Sequence, residues 1–224
     1  MKTNLRLYLL VAAACGVAGC AGVNSARTPG AEHTNSAASF RPTNFVGERS
    51  LPPAILRVLV LPVHGGQFVP PETCEYLDPI FTTALEQQER FEVVTLSRDE
   101  CGKSFGTPDV ASTDSLPADF LSRLGTEYGA QGVMFVDITA FDPYRPLTLG
   151  IRAKLAAVAD RHLIWSFDDI FCCLNPGVVG GLRRYYSKNS QPGAPVDLSS
   201  DDLVSPRRFA LYAADTAFAT LPKR

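Results

Sequence analysis

Histidines and aspartates that could serve in acid–base chemistry occur at two places in this chain. His162 lies close in sequence to Asp168 and Asp169, and His64 is followed by two glycines. A general acid–base pair works only where its members converge in a cleft, and the sequence has no Gly-x-Ser-x-Gly turn to supply a nucleophile. We therefore interpret these residues as turn or strand-end positions and assign no catalytic residues. An enzyme would need a deep polar pocket that gathers one of the histidines with Asp168 or Asp169.

Gly102-Lys103-Ser104 is similar to the last part of a phosphate-binding loop. Such a loop needs a glycine five residues before Gly102, where this chain has Ser97, so the backbone cradle is incomplete. We therefore predict no nucleotide site and no cofactor.

The first 20 residues have the layout of a secretory signal peptide that ends in a cysteine. Lys2 and Arg6 give a positive start, and the apolar run over residues 7–14 is too short to span a membrane. Val17-Ala18-Gly19-Cys20 resembles the bacterial lipobox, whose cysteine is acylated on sulfur and becomes the first residue of the mature protein. The resemblance implies a signal peptide over residues 1–19 and attachment to a membrane through acyl chains on Cys20.

Residues 20–53 are rich in small and polar residues and poor in core formers, which predicts a flexible linker after the acylated cysteine. As a random coil it would span roughly 30 Å. In enteric lipoproteins an aspartate after the cysteine retains the protein at the inner membrane, whereas Ala21 follows Cys20 here. By this resemblance we expect the periplasmic face of the outer membrane.

The remaining residues, 54–224, are enough for one domain with a sizeable core. The chain has 224 residues, is 46% hydrophobic and carries a net charge of −2. No basic excess points to a nucleic-acid partner. Beyond the leader, no apolar run approaches the about 20 residues of a membrane-spanning helix.

Three consecutive strands over residues 132–171 form the centre of the predicted domain. Residues 133–138 are apolar on both faces, as in a central strand, and residues 149–158 alternate between an apolar and a partly polar face. Asp160-Arg161 is typical of a tight turn before the third strand.

Further elements are predicted on both sides of these strands. Residues 55–63 and 91–96 are typical of parallel strands joined by a helix that Asp78 caps and Pro79 begins. Pro117 opens a second helix, and Asn175 and Ser205 precede two more. The order βαβαβββαα predicts an α/β fold, a single domain with a mixed five-stranded sheet covered by helices.

Four cysteines besides the acylated Cys20 remain after removal of the leader, and the periplasm permits disulfides. The spacing fits no zinc site, so no metal is predicted. The predicted topology places Cys74, Cys101 and the Cys172-Cys173 pair at one edge of the sheet. Among the three possible pairings we favour a Cys74–Cys101 disulfide.

Arginines and a tyrosine late in the chain form a candidate partner surface, because both residue types are favoured at protein interfaces. The residues are Arg183, Arg184, Tyr186, Arg207 and Arg208. The alternative is that solvated arginines lie beside tyrosines that pack on the sheet.

The runs Arg57–Val63, Phe91–Val94 and Tyr128–Val133, followed by the closing hairpin, resemble a group of periplasmic domains. The group comprises CsgG, the amino-terminal domain of TolB, and the lipoproteins LpoB and PelC. The resemblance implies a non-enzymatic, lipid-anchored binding or assembly module for an envelope protein partner. The alternative is a subunit of a homo-oligomeric export apparatus of the CsgG or PelC kind.

Overall fold

A single mixed sheet with the strand order β1-β6-β5-β4-β2-β3 organises the computed structural model, which describes residues 40–67, 69–189 and 205–224. Its strands are β1 (Phe45–Gly47), β2 (Arg57–Val60), β3 (Glu92–Thr95), β4 (Gly132–Asp142), β5 (Thr148–Ala157) and β6 (Leu163–Cys172). Its helices are α1 (Pro71–Glu86), α2 (Arg98–Phe105), α3 (Phe120–Tyr128), α4 (Pro176–Asn189) and α5 (Pro206–Phe218).

The antiparallel meander β4-β5-β6 confirms the prediction of three consecutive strands. Val136 pairs with Ala153, and Ala153 pairs with Phe167. The first seven residues of β4 are buried on both faces because helices and loops cover the sheet on each side there. Asp137, 4% exposed, is the one charged residue among these seven.

The parallel strands β2, β3 and β4 divide the helices between the two faces of the sheet. β2 pairs with β3 on one side and with β4 on the other, all parallel. Helices α1, α4 and α5 pack in one hydrophobic cluster with the inner face, while α2 and α3 pack in a second cluster on the outer face. After β2 the chain forms β3 on one side of it and then β4 on its other side. The strand order therefore reverses between β2 and β4, which makes this position a topological switch point.

The prediction of five strands was wrong because a segment that we expected in the linker adds a sixth. β1 pairs antiparallel with β6, and the Phe40 ring packs on Phe171 with 5.0 Å between centroids. Leu51 is 3% exposed. Too few large apolar residues occur in this segment to form a core alone, but the edge of β6 supplies both hydrogen-bonding groups and an apolar face.

Two helices differ from their predictions. α1 begins at Pro71, eight residues before Pro79, which lies inside it. Asp78 is therefore not its N-cap. α2 was not predicted, although Ser97 and Glu100 form a capping box: the Ser97 hydroxyl accepts from the Glu100 N–H, and the Glu100 carboxylate accepts from the Ser97 N–H.

The later helices follow the sequence more closely. Gly129 ends α3 with φ of +64°, as the sequence predicts, and the Asn175 side chain accepts from the Gly177 N–H at the start of α4 at 2.8 Å. Among the described residues, no helix is both long and apolar enough to cross a bilayer. Cys20, the leader and residues 190–204 lie outside the described residues.

Candidate functional site

A pocket of about 430 Å³ opens at the carboxyl ends of β2 and β3. Its apolar wall includes Val60 and Phe81, and its polar groups include Thr82, Thr95 and Arg98. Ligands of open α/β sheets bind outside the carboxyl ends of parallel strands. This edge is therefore the candidate binding site that the topology provides.

The Arg98 guanidinium fixes three segments around this pocket. It donates to the Asp78 carboxylate from Nε at 2.8 Å and from Nη2 at 3.0 Å, and to the Val63 carbonyl at 2.7 Å. Nη1 donates to Asp109 at 2.9 Å. Since Asp78 also accepts from the Val63 N–H, the pair ties α1, the end of β2 and the start of α2 together.

Polar contacts continue from Asp109 toward β4. His64 Nδ1 lies 2.7 Å from the second Asp109 oxygen. The buried Asp137 carboxylate accepts from the Ser112 N–H at 2.9 Å and from the Ser112 hydroxyl, and Lys154 Nζ donates to the Ser112 carbonyl. The loop between α2 and α3 is thereby held across the switch point.

Burial shifts the pKa of one carboxyl group in this cluster and of two cysteines in the helices that flank it. Burial raises the pKa of Asp78, against hydrogen bonds from Arg98 and Val63 that lower it. Burial also raises the pKa of Cys74, and raises that of Cys101 to about 11. A thiol with a raised pKa supplies little thiolate at neutral pH.

The predicted acid–base residues are not brought together. His64 contacts Asp109, whereas His162 lies between Asp160 and Glu48 at 2.5 and 2.7 Å. Asp168 pairs with Arg152, and Asp169 accepts from the Thr43 N–H. The hypothesis of a pocket joining either histidine to Asp168 or Asp169 is therefore wrong. Gly102 to Ser104 lie within α2, so they form no phosphate-binding loop.

The described cysteines are free thiols. Cys74, in α1, and Cys101, in α2, are both buried. Cys74 belongs to the hydrophobic cluster on the inner face of the sheet, and Cys101 belongs to the cluster on the outer face. Their pairing stays a prediction that alkylation of the denatured, unreduced protein must test. Among the described residues, no group of three or more histidine, cysteine, aspartate or glutamate side chains is placed to hold a metal ion.

The predicted partner residues share a surface on α4 and α5, which we call the arginine–tyrosine surface. The Tyr186 hydroxyl donates to the Arg208 carbonyl at 2.9 Å, and the Arg208 guanidinium lies 5.3 Å from the Tyr186 ring centroid. Arg183, Arg184 and Arg207 are exposed on the same two helices. Burial raises the pKa of Tyr186 to about 12, so the phenol stays a neutral donor. The arrangement is that of the alternative, in which solvated arginines lie beside a tyrosine that packs, and the binding of a partner at this surface stays a prediction.

A second polar pocket, of about 480 Å³, lies between α1, α4 and α5. It contains Asp215, whose carboxylate accepts from Gln88 Nε2 at 2.8 Å. Burial raises the pKa of Asp215, and the Gln88 hydrogen bond opposes that rise. Tyr185, in the same pocket, has a pKa raised by burial to about 12.

Asp78, Arg98 and Asp109 were not predicted to form a cluster. The capping box at Ser97 and the parallel pairing of β2 and β3 were readable signals that residues after both strands share one edge. The interpretation of Asp78 as a helix cap concealed its contact with Arg98.

No protein-family model matches the chain, and no curated protein matches it. Solved structures with similar folds include PelC from Paraburkholderia phytofirmans, a dodecamer, with 12% identity over 58% of this chain and 79% of PelC and a TM-score of 0.39. Lipoprotein GNA1162 from Neisseria meningitidis has 18% identity over 60% of this chain and 96% of its own, with a TM-score of 0.43.

The C-terminal domain of LpoB from Salmonella enterica has 20% identity over 56% of this chain and 84% of its own, with a TM-score of 0.32. PelC and LpoB belong to the group that the sequence resembles, so members of that group are among the structural neighbours. Similarity at this level says nothing about function, which has to be argued from the residues of the chain itself.

Proposed function

We propose that the chain is a lipoprotein of the cell envelope, held at the periplasmic face of the outer membrane by acyl chains on Cys20. Its folded body is a non-enzymatic binding or assembly module for an envelope protein. The signal-like leader and the lipobox over residues 17–20 support the anchor. Two or three acyl chains suffice for stable attachment, because each buried methylene contributes about 0.8 kcal/mol.

The arginine–tyrosine surface is the observation that carries the binding role. Tyr186 is held by its hydrogen bond to the Arg208 carbonyl, and the Arg208 side chain lies over its ring. Tyrosine and arginine are enriched among the residues that dominate binding energy. Side chains that are already ordered lose less conformational entropy when a partner covers them.

The anchor is tested by removing its attachment point. In cells with the lipoprotein pathway, Cys20→Ala should remove the mass of the acyl chains from the purified protein, and globomycin should leave the leader, residues 1–19, attached to the acylated protein. An unchanged mass and unchanged partitioning would contradict lipidation at Cys20.

The binding surface is tested by photo-crosslinking in intact cells. A photoreactive residue at Arg183 or Arg207 should give a discrete protein adduct. Arg123 is the control, because it is an exposed arginine whose guanidinium lies 5.3 Å from the Phe105 centroid, as that of Arg208 does from Tyr186, but on the opposite face of the sheet. Equal adducts at all three positions, or none, would exclude this surface. An adduct of twice the subunit mass would favour the homo-oligomeric alternative.

A further inference from the structure

Three exposed apolar side chains lie together at one end of the sheet, and we call them the apolar tip. They are Tyr144, Ile170 and Leu174, with exposed fractions of 79%, 53% and 75%. Tyr144 lies in the β4–β5 turn, and Ile170 stands two residues before the end of β6. Leu174 lies next to the β4–β5 turn because the Cys173 N–H donates to the Leu147 carbonyl at 2.9 Å.

The chain that leads back to Cys20 enters the folded body at this same end. The Phe40 N–H donates to the Gly177 carbonyl at 3.1 Å, and the Phe40 ring packs on Phe171. Leu174 lies between these two contact residues in sequence. The point of attachment and the apolar tip therefore share one end of the molecule.

We propose that the apolar tip inserts into the interfacial layer of the membrane that holds the acyl anchor, as a second, non-covalent contact. This inference rests on the lipid anchorage proposed above. Tyrosine suits the boundary between headgroups and acyl chains, since its ring is apolar and its hydroxyl is polar. Transfer of the leucine and isoleucine side chains from water into the apolar part of the interface is favourable in free energy. The chain toward Cys20 leaves the body at the same end, so the tip lies beside the point where the tether begins.

The charges beside the tip are of both signs. Asp142 accepts from the Tyr144 N–H at 2.9 Å, and Arg145 follows Tyr144 in the turn. The contact therefore needs no anionic lipid and can be tested on neutral phosphatidylcholine.

Leu163 provides a matched control on the same strand. It is 50% exposed but stands at the opposite end of β6, about 23 Å from Ile170 of the apolar tip at the usual rise of about 3.3 Å per residue. Leu56, also exposed, precedes β2 at that far end. Exposed apolar side chains thus occur at both ends, and only one end adjoins the attachment point.

The test uses full-length acylated protein in phosphatidylcholine vesicles, part of whose lipid carries bromine on the acyl chains. Tyr144→Trp and Leu163→Trp are compared, with the buried Trp165 as a common background. We expect bromine to quench the tip variant several-fold more than the control and its emission to shift to the blue. Equal quenching of both variants, or none, would overturn the inference.

A second measurement needs no substitution. Hydrogen exchange of the acylated wild-type protein should slow on vesicles in the β4–β5 turn and around Leu174, and stay unchanged around Leu163. Unchanged exchange at the tip would also overturn the inference. The mass of each sample shows independently whether Cys20 is acylated, so a failure of the proposed anchor is distinguished from a failure of the tip.

Discussion

The Arg98 guanidinium forms a bidentate ion pair with the Asp78 carboxylate: Nε donates to Oδ2 at 2.8 Å and Nη2 donates to Oδ1 at 3.0 Å. The Arg98 side chain is only 13% exposed. The pair joins the middle of α1 to the first residue of α2, and it shapes one wall of the pocket at the carboxyl ends of β2 and β3.

Arg98→Ala should therefore be strongly destabilising. It leaves the Asp78 and Asp109 carboxylates without their cation, and we expect a loss of about 2–4 kcal/mol in the free energy of unfolding, reduced from the fully buried case by partial exposure. Urea denaturation measures it. Arg57→Ala breaks the exposed Arg57–Glu92 pair and should cost about 1 kcal/mol or less. Similar losses for both variants would contradict a structural role for the Arg98 cluster.

Asp215→Asn should stabilise the protein at neutral pH. Burial raises the folded pKa of Asp215 above its ordinary value of 3.8, so the stability associated with its protonated form is lost as pH rises through the folded pKa. The asparagine keeps the bond from Gln88 without the charge. The increase in the free energy of unfolding of Asp215→Asn over the wild type, measured from urea midpoints, should be present at pH 7 and vanish below pH 3.8. Asp119→Asn, at an exposed position, serves as the control.

His162 should titrate above its ordinary pKa of 6.5. Hydrogen bonds that the imidazolium donates to Asp160 first and to Glu48 second raise the folded pKa, so this stabilisation is complete below pH 6.5 and is lost as pH rises through the folded value. A histidine proton titration by NMR measures the pKa directly. Glu48→Gln should lower it while Glu86→Gln leaves it unaltered. An unshifted pKa in the wild-type protein would show that the side chains do not meet.

Leu51→Ala tests whether the segment before β2 belongs to the folded body. Because Leu51 is 3% exposed in the main core, we expect a loss of about 2–5 kcal/mol in the free energy of unfolding. Val46→Ala, at a side chain 74% exposed, should change it by about 0.5 kcal/mol or less. If both substitutions changed the free energy of unfolding by equally small amounts, residues 40–53 would belong to the linker and not to the folded body.

The parts of the fold that could be predicted from sequence are those where one strong local pattern decides the structure. The buried run of β4 and the alternation of β5 need no tertiary information, and Gly129 ends α3 where a left-handed residue is required. The start of α1 could not be predicted in this way. Asp78-Pro79 has the form of a helix start, but the Asp78 carboxylate is taken by Arg98 and Val63, and an earlier proline, Pro71, begins the helix.

The candidate site was harder to predict because its members come from separate elements. Arg98, Asp78 and His64 meet only once β2, α1 and α2 are assembled. β1 is three residues long, and its pairing depends on the open edge of β6 rather than on its own composition. The arginine–tyrosine surface was identifiable because its residues are adjacent in sequence on two helices.

The antiparallel pairing of β1 with β6 also determines how the body resists mechanical load. A force that pulls Phe40 outward, past the apolar tip, acts along the axis of β1. It loads three hydrogen bonds in shear: from the Glu48 N–H to Ile164, from the Asp168 N–H to Asn44 and from the Phe40 N–H to Gly177. Bonds loaded in shear share the force and must rupture together, whereas bonds peeled sideways rupture one at a time. Tension applied through residue 40 along β1 is thus shared by these hydrogen bonds instead of breaking them one after another.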